Sequence, residues 1–417
     1  MTHELMGWDF SFGHMRYGDR WKKHRRMFHS QFQQSMVSKY WDIQRKEAHM
    51  LLHRLLQSPE NLHCHLQRNA AAVIMGITYG IDAVDTQNRY IEVAEKALDG
   101  MAQAASPGAF LVDLLPFLKH VPEWVPGASF KRKSREWREA AMQMKNDPFV
   151  TAVNDMKNGH ARASFVSTLL NEFETKEYIA DNIETIKNCA WVTYAAGAES
   201  TTLTLETFIL AMVTHPEVQV KAHEELDRVI RNERLPDLSD RPQLPYIDAI
   251  LREVLRWNPI APLGLPHMTA RDDEFRGYFI PAGTIVVGNT WRILHDLKRY
   301  REPQRFNPLR FMGEGSQGTW QHISPGEPLS TVFGYGRRFC PGRHMAEAHI
   351  WISIASILSV FDIRPALDAD GQPIKVEPAF SSKGLISHPL PFRFSMKPRT
   401  DLARALIEQT DCALSSV

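Results

Sequence analysis

The chain has 417 residues, 43% of them hydrophobic and 23% charged, enough for one large domain or two to three ordinary ones. Its 49 Lys and Arg nearly balance 48 Asp and Glu, and the formal charge of +1 argues against nucleic acid as the main partner. Cys64, Cys189, Cys340 and Cys412 lie far apart, which excludes a disulfide framework and a zinc pattern and fits a reducing compartment.

No apolar run reaches the roughly 18 residues of a membrane span. The nearest, 345–361, contains Glu347 and His349 and reads as a buried helix. The first nine residues have neither the basic nor the apolar region of a signal peptide.

In chain order, a loop leads through Gly18 and Asp19 into a charged helix over 20–33. Helices are predicted over 37–56, 62–78 and 84–104. Between residues 107 and 127, Phe110 to Leu118 and Val121 to Gly127 are apolar and broken by prolines, which remove backbone donors. That stretch reads as a packed connector or as a membrane-dipping or substrate-gating surface. A long helix is expected over 177–213, then helices opened by Pro216 (to 230) and Pro245 (to 258). Strands follow at 273–280 and 284–289, around the turn Pro281, Ala282, Gly283. Proline-rich irregular chain over 302–328 precedes a loop around Cys340 and the helix 345–361, and the tail 380–396 alternates turns and short strands. Helices dominate, and strands are short and late: the fold class is mainly α with small β-sheets.

The loop around Cys340 carries the chemistry. Gly334 and Gly336 permit tight or left-handed turns. Pro341 is read as the first residue of the following helix, which puts Cys340 at a helix N-terminus, where a thiolate is stabilised. Gly342 leaves room for a flat ligand, and Arg338 can pair with an acidic group on it. An ordinary buried cysteine is the plainer reading of a lone Cys. The register Phe333, Gly336, Arg338, Cys340, Gly342 argues against it, because Phe-x-x-Gly-x-Arg-x-Cys-x-Gly resembles the heme-binding signature of the cytochrome P450 superfamily at every fixed position.

That resemblance implies heme b (iron protoporphyrin IX) with Cys340 as metal ligand and Phe333, Arg338 and Gly342 around it. A thiolate ligand pushes electron density onto heme iron and favours O–O cleavage. Other motifs follow in the family's order. Glu253 and Arg256, at i and i+3, can meet on one helix face, and Arg310 in Asn307-Pro-Leu-Arg-Phe311 offers a second guanidinium. The resemblance implies that this triad is a structural lock. Ala195 to Thr201 lies mid-helix, where Gly197 costs about 1 kcal/mol relative to Ala. Close helix packing is the plain explanation. The resemblance implies instead an oxygen-activating groove, with Glu199 as the acid and Ser200 as the alcohol that relay protons, and Ala196 near the substrate. Serine stands where the family more often has threonine, and Thr201 is a poorer substitute because the next helical position turns by about 100°.

Trp21 and Arg25, four apart, match a heme-propionate contact of the family, as does His267, with Arg338 a third partner. Lys22, Lys23 and Arg26 form either a solvated face or an electrostatic landing for a reductase. Leu385 and Ile386 in the tail resemble the turn that reaches over the substrate, although an apolar hairpin explains them nearly as well.

The resemblance extends over residues 1–417 as a single domain with the texture of fungal microsomal members. The chain begins just before the Trp21–Arg25 helix, so the membrane anchor, first strands, two early helices and a substrate-lining loop of the family are expected to be missing from its front. The implied activity is an oxidoreductase, a monooxygenase using O2 and electrons from an NADPH-dependent reductase on an apolar substrate. A terpenoid or other secondary metabolite, or a xenobiotic, is the implied substrate class. The complete protein is expected at the cytosolic face of the endoplasmic reticulum membrane. The alternatives are an inactive heme-binding remnant and a heme-thiolate isomerase or dehydratase; Glu199 and Ser200 speak against the latter, which needs no proton relay.

Overall fold

A computed structural model describes residues 1–105, 108–173, 179–312, 327–381 and 385–414. Thirteen α-helices lie among the described residues. They are α1 (Asp19–Phe32), α2 (Trp41–Gln57), α3 (Leu62–Tyr79), α4 (Ala83–Ala105), α5 (Ser129–Lys157), α6 (Phe165–Phe173), α7 (Ile179–Thr214), α8 (Pro216–Ile230), α9 (Pro245–Trp257), α10 (Thr290–Leu294), α11 (Glu327–Val332), α12 (Arg343–Val360) and α13 (Asp401–Leu414). Eight short strands, β1 (His267–Met268), β2 (Asp273–Phe275), β3 (Tyr278–Ile280), β4 (Ile285–Val286), β5 (Phe361–Pro365), β6 (Phe380–Ser381), β7 (His388–Pro389) and β8 (Phe394–Pro398), form four two-stranded antiparallel sheets.

The chain divides into two compact units. The first comprises 1–202, 341–352 and 413–417, and the second 203–340 and 353–412. In the first, α1 to α6 and the front of α7 surround an aromatic core. The opening segment reads as a loop in sequence, yet its Trp8, Phe10 and Phe12 are buried. Trp8 and Phe10 pack edge-to-face with Trp191 at ring-centroid distances of 4.6 and 4.9 Å, and Phe28, Phe32 and Phe165 pack on one another in the same core. Such aromatic pairs add to area burial. A buried polar thread crosses this unit: His349 meets Asn69 Oδ1 at 2.8 Å, and Asn69 Nδ2 donates to the Glu47 carbonyl at 2.8 Å.

In the second unit, α8 and α9 each start on a proline at N1, whose missing N–H costs nothing there. Gln219 clamps α8 to β5 by exchanging two bonds of 2.8 Å with the Ile363 backbone. The small sheets β1–β4 and β2–β3 leave Met268, Phe275, Tyr278, Phe279, Ile285 and Val286 exposed.

Helix bounds agree with the sequence reading to within a few residues for α1, α3, α4, α8 and α9; residues 34–40, read partly as helix, form a 3-10 stretch before α2. Residues 177–178 of the expected long helix lie outside the described residues. Two expectations are corrected. The segment 273–280 is a hairpin, not one strand, because Gly277 (φ 82°) and Arg276 (φ 53°) turn the chain between Phe275 and Tyr278. The α12 helix starts at Arg343, so Pro341 lies in a turn ahead of it instead of at its first position. Helices α5, α6, α10, α11 and α13 are additions. Within α5, Trp137, Ala141, Met144, Pro148 and Ala152 are buried at helical spacing, a pattern present in the sequence but interrupted by Pro148.

Candidate functional site

The cysteine loop belongs to the second unit. Gly334 (φ 91°) and Gly336 (φ 55°) occupy left-handed backbone, where a Cβ would be strained. Between them Tyr335 is anchored: its hydroxyl lies 2.8 Å from Thr290 Oγ1, and its ring fills the space that a Cβ on Gly288 would enter at 2.6 Å. A single 3-10 turn, Gly336–Arg338, brings the chain back, and the Cys340 N–H donates to the Phe333 carbonyl at 2.7 Å. The signature residues Phe333, Arg338 and Cys340 are thereby held in one closed loop. Cys340 is half-buried and forms no disulfide. Arg338 is also half-buried, and desolvation holds its guanidinium below its ordinary pKa, a setting in which an anionic partner is favoured.

Gly342 tests whether this loop fits a flat cofactor. Its backbone is not left-handed, so no conformational need excludes a side chain. No described residue lies within 4 Å of a Cβ built there, so no described neighbour excludes one either. Open space next to the cysteine is what a heme face needs, and the residues present fit the group.

In the first unit, Ala196, Glu199 and Ser200 share one stripe of α7, the least buried face of that helix segment. The Ser200 hydroxyl donates to the Ala196 carbonyl at 2.7 Å, the i−4 back-bond expected of a mid-helix serine. Gly197 points elsewhere: a Cβ there would come within 2.7 Å of Ile74 Cδ1, so close packing accounts for this glycine. Thr201 is buried, on another face from Glu199 and Ser200. Trp21 is buried and Arg25 half-buried on α1, also in the first unit. His267 opens β1 in the second unit, exposed and in register with Val286.

The Glu253, Arg256, Arg310 triad is assembled in the second unit. Arg256 donates from Nε to Glu253 Oε2 at 2.7 Å and from Nη2 to Oε1 at 2.9 Å, a bidentate fork with both side chains fully buried. Arg310 Nε and the Asn307 N–H both donate to Glu253 Oε1, at 3.2 and 2.7 Å. Further guanidinium hydrogens reach backbone carbonyls: Arg256 binds those of Leu294 and Pro303, and Arg310 those of Arg301, Glu302 and Arg305. One carboxylate thus ties α9 to the whole passage from α10 to Phe311. Asn307 escaped sequence reasoning. Its signal was the Asn-Pro pair, since Asn307 caps the following 3-10 turn through Leu309 N–H at 3.2 Å with Pro308 next.

In the tail, Leu385 and Ile386 are half-buried between β6 and β7, while residues 382–384 lie outside the described residues. The connector that follows α4 exposes Leu111, Leu114, Leu115, Phe117 and Trp124. On α1, Lys22 pairs with Asp19 at 3.2 Å and Lys23 with Asp181. No described residue within ion-pair distance joins the exposed Arg26 to a carboxylate.

The family model for cytochrome P450 matches residues 12–396, a span that runs through both units. A cytochrome P450 monooxygenase of Armillaria gallica is 44% identical over 414 residues, covering 99% of this chain and 80% of the relative. Cytochrome P450 monooxygenase 98 of Postia placenta is 41% identical over 98% of this chain and 78% of its own length. Tryptamine 4-monooxygenase of Psilocybe cyanescens is 37% identical over 96% and 78%. A zebra fish cytochrome P450 solved with abiraterone shares the fold, with a TM-score of 0.73 and 24% identity over 96% of this chain and 87% of that one. With a family model across most of its length and relatives of this identity over nearly all of it, the chain belongs to the cytochrome P450 family of heme-thiolate monooxygenases.

Proposed function

We propose that this chain uses heme b, ligated by Cys340, to insert one oxygen atom of O2 into an apolar organic substrate, with electrons from NADPH delivered by a reductase. When bound, the thiolate-ligated heme supplies the activation of O2. The observation that carries the reading is the closed cysteine loop followed by an open Gly342.

The chain's own residues supply the rest. One oxygen atom enters the substrate and the other leaves as water, so two protons must be delivered for each pair of electrons. Glu199 is the proton source and the Ser200 hydroxyl the carrier, resting on the Ala196 carbonyl between deliveries. Trp21, Arg25, His267 and Arg338 would hold the two propionates, and Phe333 and Gly342 would make room for the ring. Ala196, Leu385 and Ile386 contact the substrate. Glu253, Arg256 and Arg310 keep the frame rigid. We read residues 1–417 as one domain of the family.

The substrate class we favour is a secondary metabolite, a terpenoid or an aromatic compound, or a xenobiotic. The name of the Psilocybe relative puts an indole bearing an alkylamine within reach of similar sequences. The exposed apolar connector supports association with the cytosolic face of the endoplasmic reticulum membrane, although no helix among the described residues is long and apolar enough to cross one. The experiment is turnover with NADPH, a reductase and 18O2 against a panel of terpenoids and aromatics. One labelled oxygen atom per product supports the proposal. Products carrying no label, or rearranged without NADPH consumption, identify an isomerase or dehydratase instead.

A further inference from the structure

The tail turn that carries Leu385 and Ile386 is fastened from below by three buried polar side chains that the reading above leaves without a role. The Ser387 hydroxyl donates to Asn258 Oδ1 at 2.7 Å. Asn258 Nδ2 donates to Thr207 Oγ1 at 3.1 Å. The Thr207 hydroxyl donates to the Leu203 carbonyl at 2.8 Å. Every donor in this series has one acceptor and the sense is the same throughout, so each group fixes the orientation of the next. All three side chains are buried, and the residues they join are 51 and 129 apart in sequence.

Two further contacts make the fastening local to the turn. The Ser387 N–H donates to the Ile260 carbonyl at 2.8 Å, so residue 387 is held by both backbone and side chain. At the base of the same hairpin, Phe380 in β6 meets Trp257 edge-on at 5.4 Å, and β6 pairs with β7 through Phe380 with Pro389 and Ser381 with His388. Trp257 and Asn258 are consecutive at the end of α9, so one helix terminus grips the hairpin at Phe380 in β6 and at Ser387 just before β7. Breaking the series leaves buried groups unpaired, so the turn cannot shift by small steps without loss.

We infer that Ser387, Asn258 and Thr207 are positioning residues that hold Leu385 and Ile386 at a fixed height and so set the size of apolar ligand the protein accepts. The inference rests on the assignment of Leu385 and Ile386 to substrate contact. Its test compares Ser387→Ala and Thr207→Val, which break the series, with Thr207→Ser, which keeps the acceptor. Amide exchange of residues 385–390 in the protein as isolated should be about tenfold faster in the two breaking variants and unchanged in Thr207→Ser, with β5 and β8 as the internal control for global stability. In heme-loaded protein, spectral titration should show the preference for N-dodecylimidazole over imidazole changed by about fivefold in the breaking variants only, as expected for one buried hydrogen bond. Unchanged exchange, or faster exchange with an unchanged preference, overturns the inference. If the wild-type protein binds no imidazole at all, the heme assignment itself fails, while the exchange result still stands on its own.

Discussion

Glu253 and Arg256 bind each other through two parallel hydrogen bonds of 2.7 and 2.9 Å, and neither side chain has any exposed surface. A buried fork of this kind is costly to break from one side. Glu253→Ala would leave the Arg256 charge uncompensated and is expected to lose about 3–5 kcal/mol. The passage from Leu294 to Arg310, held in large part through this carboxylate and its two arginines, should loosen with it. Denaturant unfolding together with the heme-to-protein ratio after expression reads this out. A variant of normal stability and full heme content contradicts the structural role.

Removing the acid and the alcohol separates their parts. Glu199→Gln should lower product formation by about two orders of magnitude, the scale of a lost general acid. Ser200→Ala should oxidise NADPH with less product, and Ser200→Thr should restore coupling. Thr201→Ala, on a buried face of α7, should leave the ratio of product to NADPH near wild type. A Thr201 effect larger than that of Ser200 would reassign the carrier.

Acid should destabilise this fold through its buried histidines. Burial pushes His349 from 6.5 down to about 4, so it is neutral in the folded protein. The unfolded chain binds the extra proton first, so stability is full above about 6.5 and falls as pH drops towards about 4. His14, His223 and His295 are lowered to about 4 in the same direction, each with burial as the leading cause. In His349→Gln, which retains a donor for Asn69, the loss between pH 6.5 and 4 should shrink by on the order of 2 kcal/mol. Parallel stability curves for the two proteins would contradict this.

Reductase docking should depend on the residues left to attract it. Lys22 and Lys23 already face Asp19 and Asp181, so Arg26 carries the least compensated charge of the three. Arg26→Glu should slow reductase-dependent reduction more than Lys22→Glu, and added salt should slow the wild type. A rate indifferent to salt in all three proteins removes the electrostatic landing.

Membrane contact should run through the connector. Trp124 is 83% exposed, in a stretch that also displays Leu114 and Phe117. Trp124→Glu with Leu114→Glu should reduce sedimentation with liposomes at least tenfold, since both aromatic anchoring and apolar burial are lost. Equal sedimentation would place the contact elsewhere.

Much of this was legible in sequence because it depends on spacing along one element. Glu253 and Arg256 meet because i and i+3 share a face, and Gly334 and Gly336 announced their left-handed turns. What stayed hidden depends on partners with no side-chain signature or on distant pairing. The carbonyls of Leu294, Pro303 and Glu302 that complete the arginine cage could be any residue's. The Ser387 to Asn258 to Thr207 series joins residues that look unremarkable one by one. The burial of Trp8 and Phe10 depends on Trp191, far along the chain. Gly197 follows its plain reading: close packing against Ile74 accounts for it.

The central claim is that the Cys340 thiolate holds a heme, and the most direct measurement is the absorption spectrum of the reduced, carbon monoxide-treated protein. The account predicts the strongly red-shifted Soret band of thiolate ligation in the wild type and its disappearance in Cys340→Ser, with the fold unchanged by circular dichroism. A histidine-like band in the wild type, or a red-shifted band that survives in Cys340→Ser, would contradict it.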